Sequence, residues 1–196
     1  IIQNGYFGLR MENMSQRLGA DISLLKFDWG QPVDVDEVEE HLKDNVYDII
    51  AIVHAETSTG VQNSVQQISR FIPDNTIFIV DAVTSLGTID IQVDNWNIDA
   101  IYSCSQKGLS CPPGASPISF SEKALNKMKQ RQEMVPNWYL DMTEIIKYWD
   151  GSQRVYHHTA PINMMYALYQ SLYDVLKEGI DNVIQRHYNS HLLLEK

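Results

Sequence analysis

The sequence predicts an α/β fold in which helices flank a mainly parallel sheet. Two apolar runs rich in β-branched residues, Ile49–Val53 and Ile77 to Val80, are typical of strands that are covered on both faces. Segments with the helical spacing of apolar residues lie between these runs and the shorter apolar runs of the chain. Strands that alternate with helices favour right-handed crossovers, and such crossovers produce parallel pairing.

Short apolar runs bounded by polar or turn residues are the predicted strands. In chain order they cover residues 1–2, 22–25, 49–53, 77–80, 97–102 and 117–120. The turn Asn4-Gly5 follows the first strand, and the fifth strand leads into a loop of small residues around Lys107. The sequence Pro112-Pro113-Gly114 then turns the chain toward the sixth strand.

Helix signals occur between and after these strands. They cover residues 6–18, about 34–42, 64–71, 121–131, 143–149, 162–176 and 179 onwards. Gly19 is placed to cap the first helix, and either Asp34 or Asp36 can cap the second. Pro73 stops the third helix, and Ser121 begins the fourth. The segment before residue 140 is irregular, and a polar turn precedes residue 162.

Composition argues against two classes of partner. The 196 residues carry a formal net charge of −10, whereas binding to nucleic-acid phosphates needs clustered lysine and arginine. No apolar run approaches the roughly 20 residues that a membrane span needs. We therefore expect neither a nucleic acid nor a membrane as a partner.

The two cysteines, Cys104 and Cys111, lie on one loop at a spacing that matches no zinc or C-x-x-C motif. Free thiols in a reducing compartment are the expectation. We expect an intracellular protein, and the sequence does not select between a peroxisomal, a mitochondrial and a cytosolic location. The sequence lacks an initiator Met and a secretory signal, and it stops within a helix-like run. We expect a fragment that is truncated at both ends.

Polar side chains follow three consecutive strands of the predicted sheet. The stretches Glu56–Ser58, Asp81 and Gln106–Lys107 each come after an apolar run. In open α/β sheets, ligands bind beyond the carboxyl ends of the strands. The topology alone therefore predicts that these three stretches form one binding site.

Ordered segments of the chain resemble the class V aminotransferases, most closely the alanine–glyoxylate (serine–pyruvate) group. The most specific are Val80-Asp-Ala-Val-Thr-Ser-Leu-Gly87 and Ser103-Cys-Ser-Gln-Lys-Gly-Leu-Ser-Cys-Pro-Pro-Gly114. Three others also match: His54-Ala-Glu-Thr-Ser-Thr-Gly-Val61, Tyr156-His-His-Thr159 and Asn4-Gly-Tyr-Phe-Gly8. The likeness covers nearly the whole chain, and several motifs in one order are more specific than a single motif.

The resemblance implies the large domain of fold type I and pyridoxal 5′-phosphate (PLP) as cofactor. Lys107 would be the Schiff-base lysine, and Asp81 would pair with the protonated pyridine nitrogen. That pairing keeps the ring an electron sink, which stabilises the carbanion left when the substrate loses its α proton. Lys107 would also be the base that moves a proton between Cα and C4′, a task that desolvation of its amine would assist.

Further matching positions imply other contacts with the cofactor. Thr57 corresponds to the residue that hydrogen-bonds near the ring hydroxyl, and Ser58 is its neighbour. Val83 would pack on one face of the ring, and Gln106 would contact the phosphate region.

The resemblance also implies an organisation larger than this sequence. Tyr156 and Thr159 would reach the phosphate bound to the other subunit, so we expect a homodimer with shared active sites. Residues 1–178 would be part of the cofactor-binding large domain, and residues 179–196 would begin the helix that leads to a C-terminal domain. The phosphate loop, the aromatic residue that stacks on the ring and the arginine that binds the substrate carboxylate are expected outside these residues.

The resemblance implies transamination, with the amino group passing from alanine or serine to glyoxylate or another 2-oxo acid. We expect the fragment itself to be inactive. A kynurenine-type or other class V enzyme, such as a desulfurase, is the related alternative. A non-catalytic α/β binding module is the alternative of a different class, and the presence of both Asp81 and Lys107 argues against it.

Two further interpretations of the polar residues are weaker. His157 and His158 resemble metal ligands, but adjacent side chains diverge and no carboxylates accompany them, so no metal site is predicted. Ser58, His54 and Asp81 are the residue types of a hydrolase triad, but the Gly-x-Ser-x-Gly motif is missing.

Overall fold

A computed structural model describes residues 1–150 and 155–195 of the chain. The strands in this part are β1 (Ile2–Gln3), β2 (Leu25–Lys26), β3 (Ile49–Val53), β4 (Ala55–Glu56), β5 (Val61–Gln62), β6 (Ile77–Asp81), β7 (Ala100–Tyr102) and β8 (Ile118–Phe120). The α-helices are α1 (Tyr6–Arg17), α2 (Val35–Asp44), α3 (Val65–Ile68), α4 (Glu122–Lys129), α5 (Met142–Asp150), α6 (Ile162–Glu178) and α7 (Ile180–Leu194).

Six of the strands form one sheet in the order β2-β1-β3-β6-β7-β8. Every neighbouring pair in this sheet is parallel except β7 and β8, which are antiparallel. The strands β4 and β5 form a separate hairpin directly after β3. The predicted fold class, a mainly parallel sheet flanked by helices, is confirmed.

The hydrophobic core lies between the central strands and the helices α2 and α3. Ile52 of β3 and Phe78 and Val80 of β6 are fully buried. They belong to one cluster with Val38 of α2 and with the buried residues of α3. Burying one such side chain contributes about 1.5–3 kcal/mol relative to leaving it exposed, so this cluster anchors the centre of the sheet.

Local capping explains where several helices begin. The side chain of Asp34, rather than that of Asp36, accepts hydrogen bonds from the first-turn N–H groups of α2. The Ser121 hydroxyl accepts a hydrogen bond from the N–H of Ala124 at the start of α4. Each bond satisfies a backbone donor that has no partner inside its helix.

Some predicted elements are shorter in the structure. Of the segment 22–25 only Leu25 pairs with β1, because the pairing has just two register positions. The strand predicted at residues 97–102 begins at Ala100, since Asn97 has a φ of 49°, which an extended strand cannot use. The helix predicted at residues 64–71 divides into α3 and a 3₁₀ turn before Pro73.

The last two helices meet at Gly179, whose φ of 90° separates them. The boundary predicted between residues 178 and 179 coincides with this break, and the assignment of the two parts to different domains stays a prediction. Across the part of the chain that the structure describes, none of the helices combines the length and apolarity needed to cross a membrane.

Candidate active site

The three polar stretches lie at one edge of the sheet. Asp81 is the last residue of β6, and its register partners are Val53 at the end of β3 and Tyr102 at the end of β7. Thr57 follows β3 through the short β4 strand, and Lys107 follows β7 by five residues. The carboxyl ends of three adjacent parallel strands therefore deliver the three stretches together, as the strand order predicted.

Asp81 is a buried carboxylate, 6% exposed, held by two donors. Its Oδ1 accepts a hydrogen bond of 2.8 Å from the N–H of Val83, and its Oδ2 accepts one of 2.8 Å from the Tyr102 hydroxyl. Burial raises the pKa of Asp81 against the lowering effect of these two bonds. The charge of Glu56 raises that pKa further, and the charge of Arg10 opposes it.

This environment suits a cationic partner for Asp81. One hydrogen bond holds each carboxylate oxygen in place. Each oxygen can still accept a second hydrogen bond, because a carboxylate has about four acceptor positions. A buried carboxylate with a raised pKa gains stability when a positive group binds to it. Burial raises the pKa of the Tyr102 hydroxyl, and the charge of Asp81 raises it further. The hydroxyl therefore stays protonated and remains a hydrogen-bond donor.

Lys107 is exposed on a loop whose residues are hydrogen-bonded to one another. The N–H of Ser105 donates to the Ala115 carbonyl at 3.0 Å, and the N–H of Cys111 donates to the Ser105 carbonyl at 3.0 Å. The buried Ser105 hydroxyl donates to the Pro112 carbonyl at 2.7 Å. These bonds fix the backbone on both sides of Lys107 and Gln106, while the two side chains themselves remain exposed.

Gly108 joins this loop to the segment of residues 83–88 after β6, which we call the 83–88 turn. A methyl group at Gly108 would collide with the Leu86 carbonyl oxygen and would lie 2.7 Å from Thr88 Cγ2. Only glycine permits this approach of two backbones. The residue next to Lys107 therefore packs directly on the turn that follows Asp81.

The predicted cofactor residues Thr57 and Ser58 have different surroundings. Thr57 is exposed, and its hydroxyl contacts the hydroxyl of Thr84 in the 83–88 turn. The Ser58 hydroxyl instead donates to Glu56 at 2.7 Å and accepts from the N–H of Tyr6 at 3.0 Å. The observed partners of Ser58 fasten α1, whereas Thr57 is joined to the turn beside Asp81.

Glu56 attaches the N-terminus of α1 to this edge of the sheet. Its buried carboxylate accepts hydrogen bonds from the N–H groups of Phe7 at 3.0 Å and Gly8 at 3.2 Å. A methyl group at Gly5 would overlap the Glu56 side chain. The role of Glu56 was not predicted, because it depends on contacts between residues nearly 50 positions apart; the turn glycine before a helix was the available signal.

Sequence reasoning also missed Arg10, which α1 brings near Asp81. Its guanidinium lies 4.8 Å from the centre of the Phe7 ring and 5.3 Å from that of Tyr6. Cation–π contacts of this kind hold a guanidinium in place while leaving its charge available. The positive charge of Arg10 lowers the pKa of Asp81, an effect smaller than the opposing effect of burial.

Tyr156 and Thr159 lie in a different environment. Their hydroxyls are hydrogen-bonded to each other, and Tyr156 is 67% exposed. Among the described residues, no hydrogen bond joins this pair to Asp81 or Lys107 of the same chain. The predicted contact of this pair with another subunit stays a prediction, because the structure contains one chain.

The two weaker interpretations can be compared with the geometry. His157 is buried, stacks on Trp138 with ring centres 4.3 Å apart, and has its Nδ1 2.8 Å from Nδ1 of His158. Residues 1–150 and 155–195 contain no group of three His, Cys, Asp or Glu side chains arranged to hold a metal ion. The hydrolase triad is not formed, since Nδ1 of His54 contacts Ser85 and Ser58 donates to Glu56.

Comparison with known proteins agrees with the sequence motifs. Residues 8–195 match the family model described as Aminotransferase class-V. The chain belongs to the class V aminotransferase family. It is 35% identical over 196 residues to the alanine–glyoxylate aminotransferase of Mus musculus, with 98% of this chain and 47% of that protein covered. It is 31% identical over 202 residues to the (S)-ureidoglycine–glyoxylate transaminase of Bacillus subtilis, with 93% and 48% covered.

Solved structures of PLP aminotransferases of fold type I have the same architecture. The alanine–glyoxylate aminotransferase of Nostoc sp. matches with a TM-score of 0.94 and 46% identity, over 100% of this chain and 52% of that chain. The ureidoglycine–glyoxylate aminotransferase of Bacillus subtilis matches with a TM-score of 0.91 and 34% identity, over 95% and 48%. A cysteine desulfurase of Thermococcus onnurineus, at 17% identity and a TM-score of 0.64, shares the fold alone. The chain spans about half the length of the relatives that it matches.

Proposed function

We propose that the full-length protein is a PLP-dependent aminotransferase that passes an amino group from alanine or serine to glyoxylate or another 2-oxo acid. The observation that carries the proposal is the placement of a buried carboxylate and an exposed amine at adjacent strand ends, Asp81 and Lys107. Two groups of relatives support glyoxylate as the acceptor, because the alanine and ureidoglycine enzymes both carry glyoxylate in their names.

The residues fit PLP by their chemistry. When bound, PLP supplies an aldehyde that reacts with amines and a ring that withdraws electrons from the substrate Cα–H bond. Asp81 would be the ionised acceptor that keeps the ring nitrogen protonated, a role that suits a buried carboxylate whose pKa is raised by burial. Lys107 would carry a proton to and from the substrate Cα, since the loop fixes its backbone and leaves its side chain exposed.

Other side chains would orient the cofactor. We propose that Thr57, whose hydroxyl contacts that of Thr84, hydrogen-bonds near the ring hydroxyl, with Ser58 as its neighbour. Val83 would pack on the ring, and Gln106 would contact the phosphate region.

The active sites of a homodimer would be shared between its subunits. We propose that Tyr156 and Thr159 contribute hydroxyl groups to the phosphate held by the partner subunit. The exposure of Tyr156 supports this role, because a buried hydroxyl could not reach another chain. In the paired hydroxyls one O–H group is used within the pair, and the other can donate to a phosphate oxygen.

The test is covalent trapping in the PLP-loaded full-length protein. Reduction with sodium borohydride should leave a pyridoxyl group on Lys107, which peptide mass spectrometry can locate. The variant Lys107→Ala should lose the label and its transaminase activity. Lys127→Ala, which removes an exposed lysine of α4 that pairs with Asp48, is the matched control and should label normally. A protein that takes no label at Lys107 would favour the non-catalytic binding module instead.

A donor screen distinguishes the candidate reactions. Glyoxylate would be offered with alanine, serine and (S)-ureidoglycine, and the glycine formed would be measured for each. Faster turnover of ureidoglycine than of alanine would replace alanine as the proposed donor, in line with the Bacillus subtilis relatives. Turnover of none of these donors, despite labelling of Lys107, would favour another class V reaction.

A further inference from the structure

The 83–88 turn contacts three parts of the proposed site at this edge of the sheet. The N–H of Val83 donates to Asp81, and the Thr84 hydroxyl contacts Thr57. The carbonyl of Leu86 lies against Gly108, the residue next to Lys107. A shift of this turn would therefore move the carboxylate, the hydroxyl and the amine relative to one another.

Ser85, in the middle of the turn, hydrogen-bonds a histidine from another strand. The Ser85 hydroxyl lies 3.0 Å from Nδ1 of His54, which follows β3, and the two residues are 0% and 1% exposed. The N–H of His54 donates to the Asp81 carbonyl at 2.9 Å. The His54 ring also packs edge-on against Trp96, with ring centres 5.8 Å apart. None of the chemical steps proposed above uses either side chain.

We propose that His54 and Ser85 are a positioning pair, whose hydrogen bond sets the 83–88 turn so that Asp81, Thr57 and Lys107 stand at working distances. The inference rests on the proposed function of this site. His54 and Ser85 do not touch substrate or cofactor in this account, and they act through the turn.

The hydrogen bond between Ser85 and His54 connects the 83–88 turn to the end of β3. Within the turn, the N–H of Leu86 donates to Ala82, and the N–H and hydroxyl of Thr88 bond within residues 84–88. These bonds give the turn its shape but do not fix its position over the neighbouring strand. The side-chain bond from Ser85 links it to the residue after β3, a strand that also leads to Thr57.

His54 is suited to a purely geometric role. Desolvation lowers the pKa of His54 to about 4, so the imidazole is neutral at pH 7. A neutral ring exchanges one hydrogen bond with Ser85 and adds no charge beside Asp81. The hydroxyl and the ring can each act as donor or acceptor in this bond.

The experiment compares Ser85→Ala with the wild type in the full-length protein. Two quantities report positioning: the rate at which Lys107 captures PLP covalently, and the pH at which the visible band of bound PLP titrates. We expect the capture rate of Ser85→Ala to fall on the order of tenfold, since small misplacements of reacting groups cost rate steeply. The spectral titration should move by about half a pH unit or more, because Asp81 and Lys107 set that titration.

A matched control separates positioning from stability. Thr76 is fully buried beside the opposite end of β6, and its hydroxyl donates to the Tyr47 carbonyl at 2.7 Å. Thr76→Val removes a buried hydroxyl and keeps the side-chain volume. It should lower the melting temperature about as much as Ser85→Ala does. Its capture rate and spectral titration should match those of the wild type.

Substitutions of His54 give a second, independent comparison. In His54→Asn, the amide occupies the position nearest to the lost Nδ1, whereas in His54→Gln it extends toward the position of Nε2. We expect His54→Asn to keep part of the wild-type capture rate and His54→Gln to behave like Ser85→Ala. This order should hold even if Ser85→Ala itself fails to accumulate as folded protein.

The outcomes are distinguishable from failure of the proposed function. If wild-type protein takes no borohydride label at Lys107, the proposed function fails before the positioning pair is tested. If the wild type labels but Ser85→Ala keeps its capture rate and spectral titration, the positioning pair is wrong. Equal changes in Ser85→Ala and Thr76→Val would also overturn it, because they would reflect stability alone.

Discussion

Asp81 is a buried carboxylate whose two hydrogen-bond donors carry no formal charge. Burial raises its pKa, so ionised Asp81 destabilises the cofactor-free fold at neutral pH. That destabilisation disappears as the pH falls through the raised pKa and the carboxyl group is protonated. The position is therefore unfavourable until a positive group binds, which is the property expected of a site for a cationic ring nitrogen.

Asp81→Asn should separate stability from activity. Oδ1 of asparagine can still accept from Val83, and its amide can donate to the Tyr102 hydroxyl, so both contacts survive without the charge. We expect the cofactor-free variant to melt at the same or a higher temperature at pH 7. Transamination should fall on the order of a hundredfold or more, while Lys107 still captures PLP. Turnover near that of the wild type would remove Asp81 from the proposed role.

His54 makes the stability of the fold fall as the pH is lowered below the ordinary pKa of histidine. Its folded-state pKa of about 4 lies below the ordinary value of 6.5, so the unfolded chain binds a proton first on acidification. The free energy of unfolding should fall between pH 6.5 and 4 by about 3 kcal/mol from this residue, at roughly 1.4 kcal/mol per pH unit. Urea unfolding of the wild type and His54→Gln should show this difference in slope. Parallel pH profiles for the two proteins would contradict the assignment.

At the scale of elements, α1 is attached to the site by one side chain. Glu56 accepts the N–H groups of its first turn, and Gly5 leaves room for the carboxylate. The negative charge lies at the positive end of the helix dipole, where it is most favourable. Because Arg10 and Phe7 are carried on this helix, Glu56 determines where both stand relative to the sheet.

Glu56→Gln tests this attachment. An amide can accept from one N–H group, but its NH₂ group then faces the other donors of the helix, and the charge is lost. We expect urea denaturation to give a loss of about 1–3 kcal/mol in the free energy of unfolding. Glu40→Gln, which removes an exposed ion pair with Lys43, is the control and should cost less than about 1 kcal/mol. A loss in Glu56→Gln as small as that expected for Glu40→Gln would show that the attachment of α1 by Glu56 does not stabilise the fold.

The central strands and the start of α4 could be predicted from the sequence, because each depends only on residues that are close together in the chain. The apolar runs of β3 and β6 and the cap of α4 by Ser121 need no distant information. Since polar residues follow strand ends in sequence, the gathering of Asp81 and Lys107 was also predictable. The roles of Glu56 and Arg10 were not, because they depend on contacts between residues that are tens of positions apart. The β4–β5 hairpin is local, but each of its strands has only two residues, too few for a recognisable apolar pattern.

At the scale of the whole molecule, a large apolar surface remains exposed. No residue of α6 is buried, and Tyr166 and Leu176 are 73% and 75% exposed. Tyr156, which precedes α6, is exposed as well. Exposed aromatic and aliphatic side chains in such density are typical of surfaces that contact other protein parts, as the proposed homodimer requires.

Mixed dimers can test whether Tyr156 completes the site of its partner. In one mixed dimer, a Lys107→Ala, Tyr156→Phe subunit is paired with a wild-type subunit, so that Phe stands at the site with the intact lysine. In the other, a Lys107→Ala subunit is paired with a Tyr156→Phe subunit, so that this site receives a wild-type tyrosine. We expect PLP affinity to drop roughly tenfold in the first dimer and to stay normal in the second. The reverse pattern would place Tyr156 in its own subunit's site.

The bonds that close the loop around Lys107 determine how its amine can travel. The N–H of Ser103 donates to Pro117, and Ser105 ties the middle of the loop through Ala115 and Pro112. The backbone at Lys107 is therefore fixed, and the amine moves by rotation about the methylene groups of the side chain. An amine on a side chain with fewer methylene groups would therefore not reach the same position, because the fixed backbone cannot move toward it.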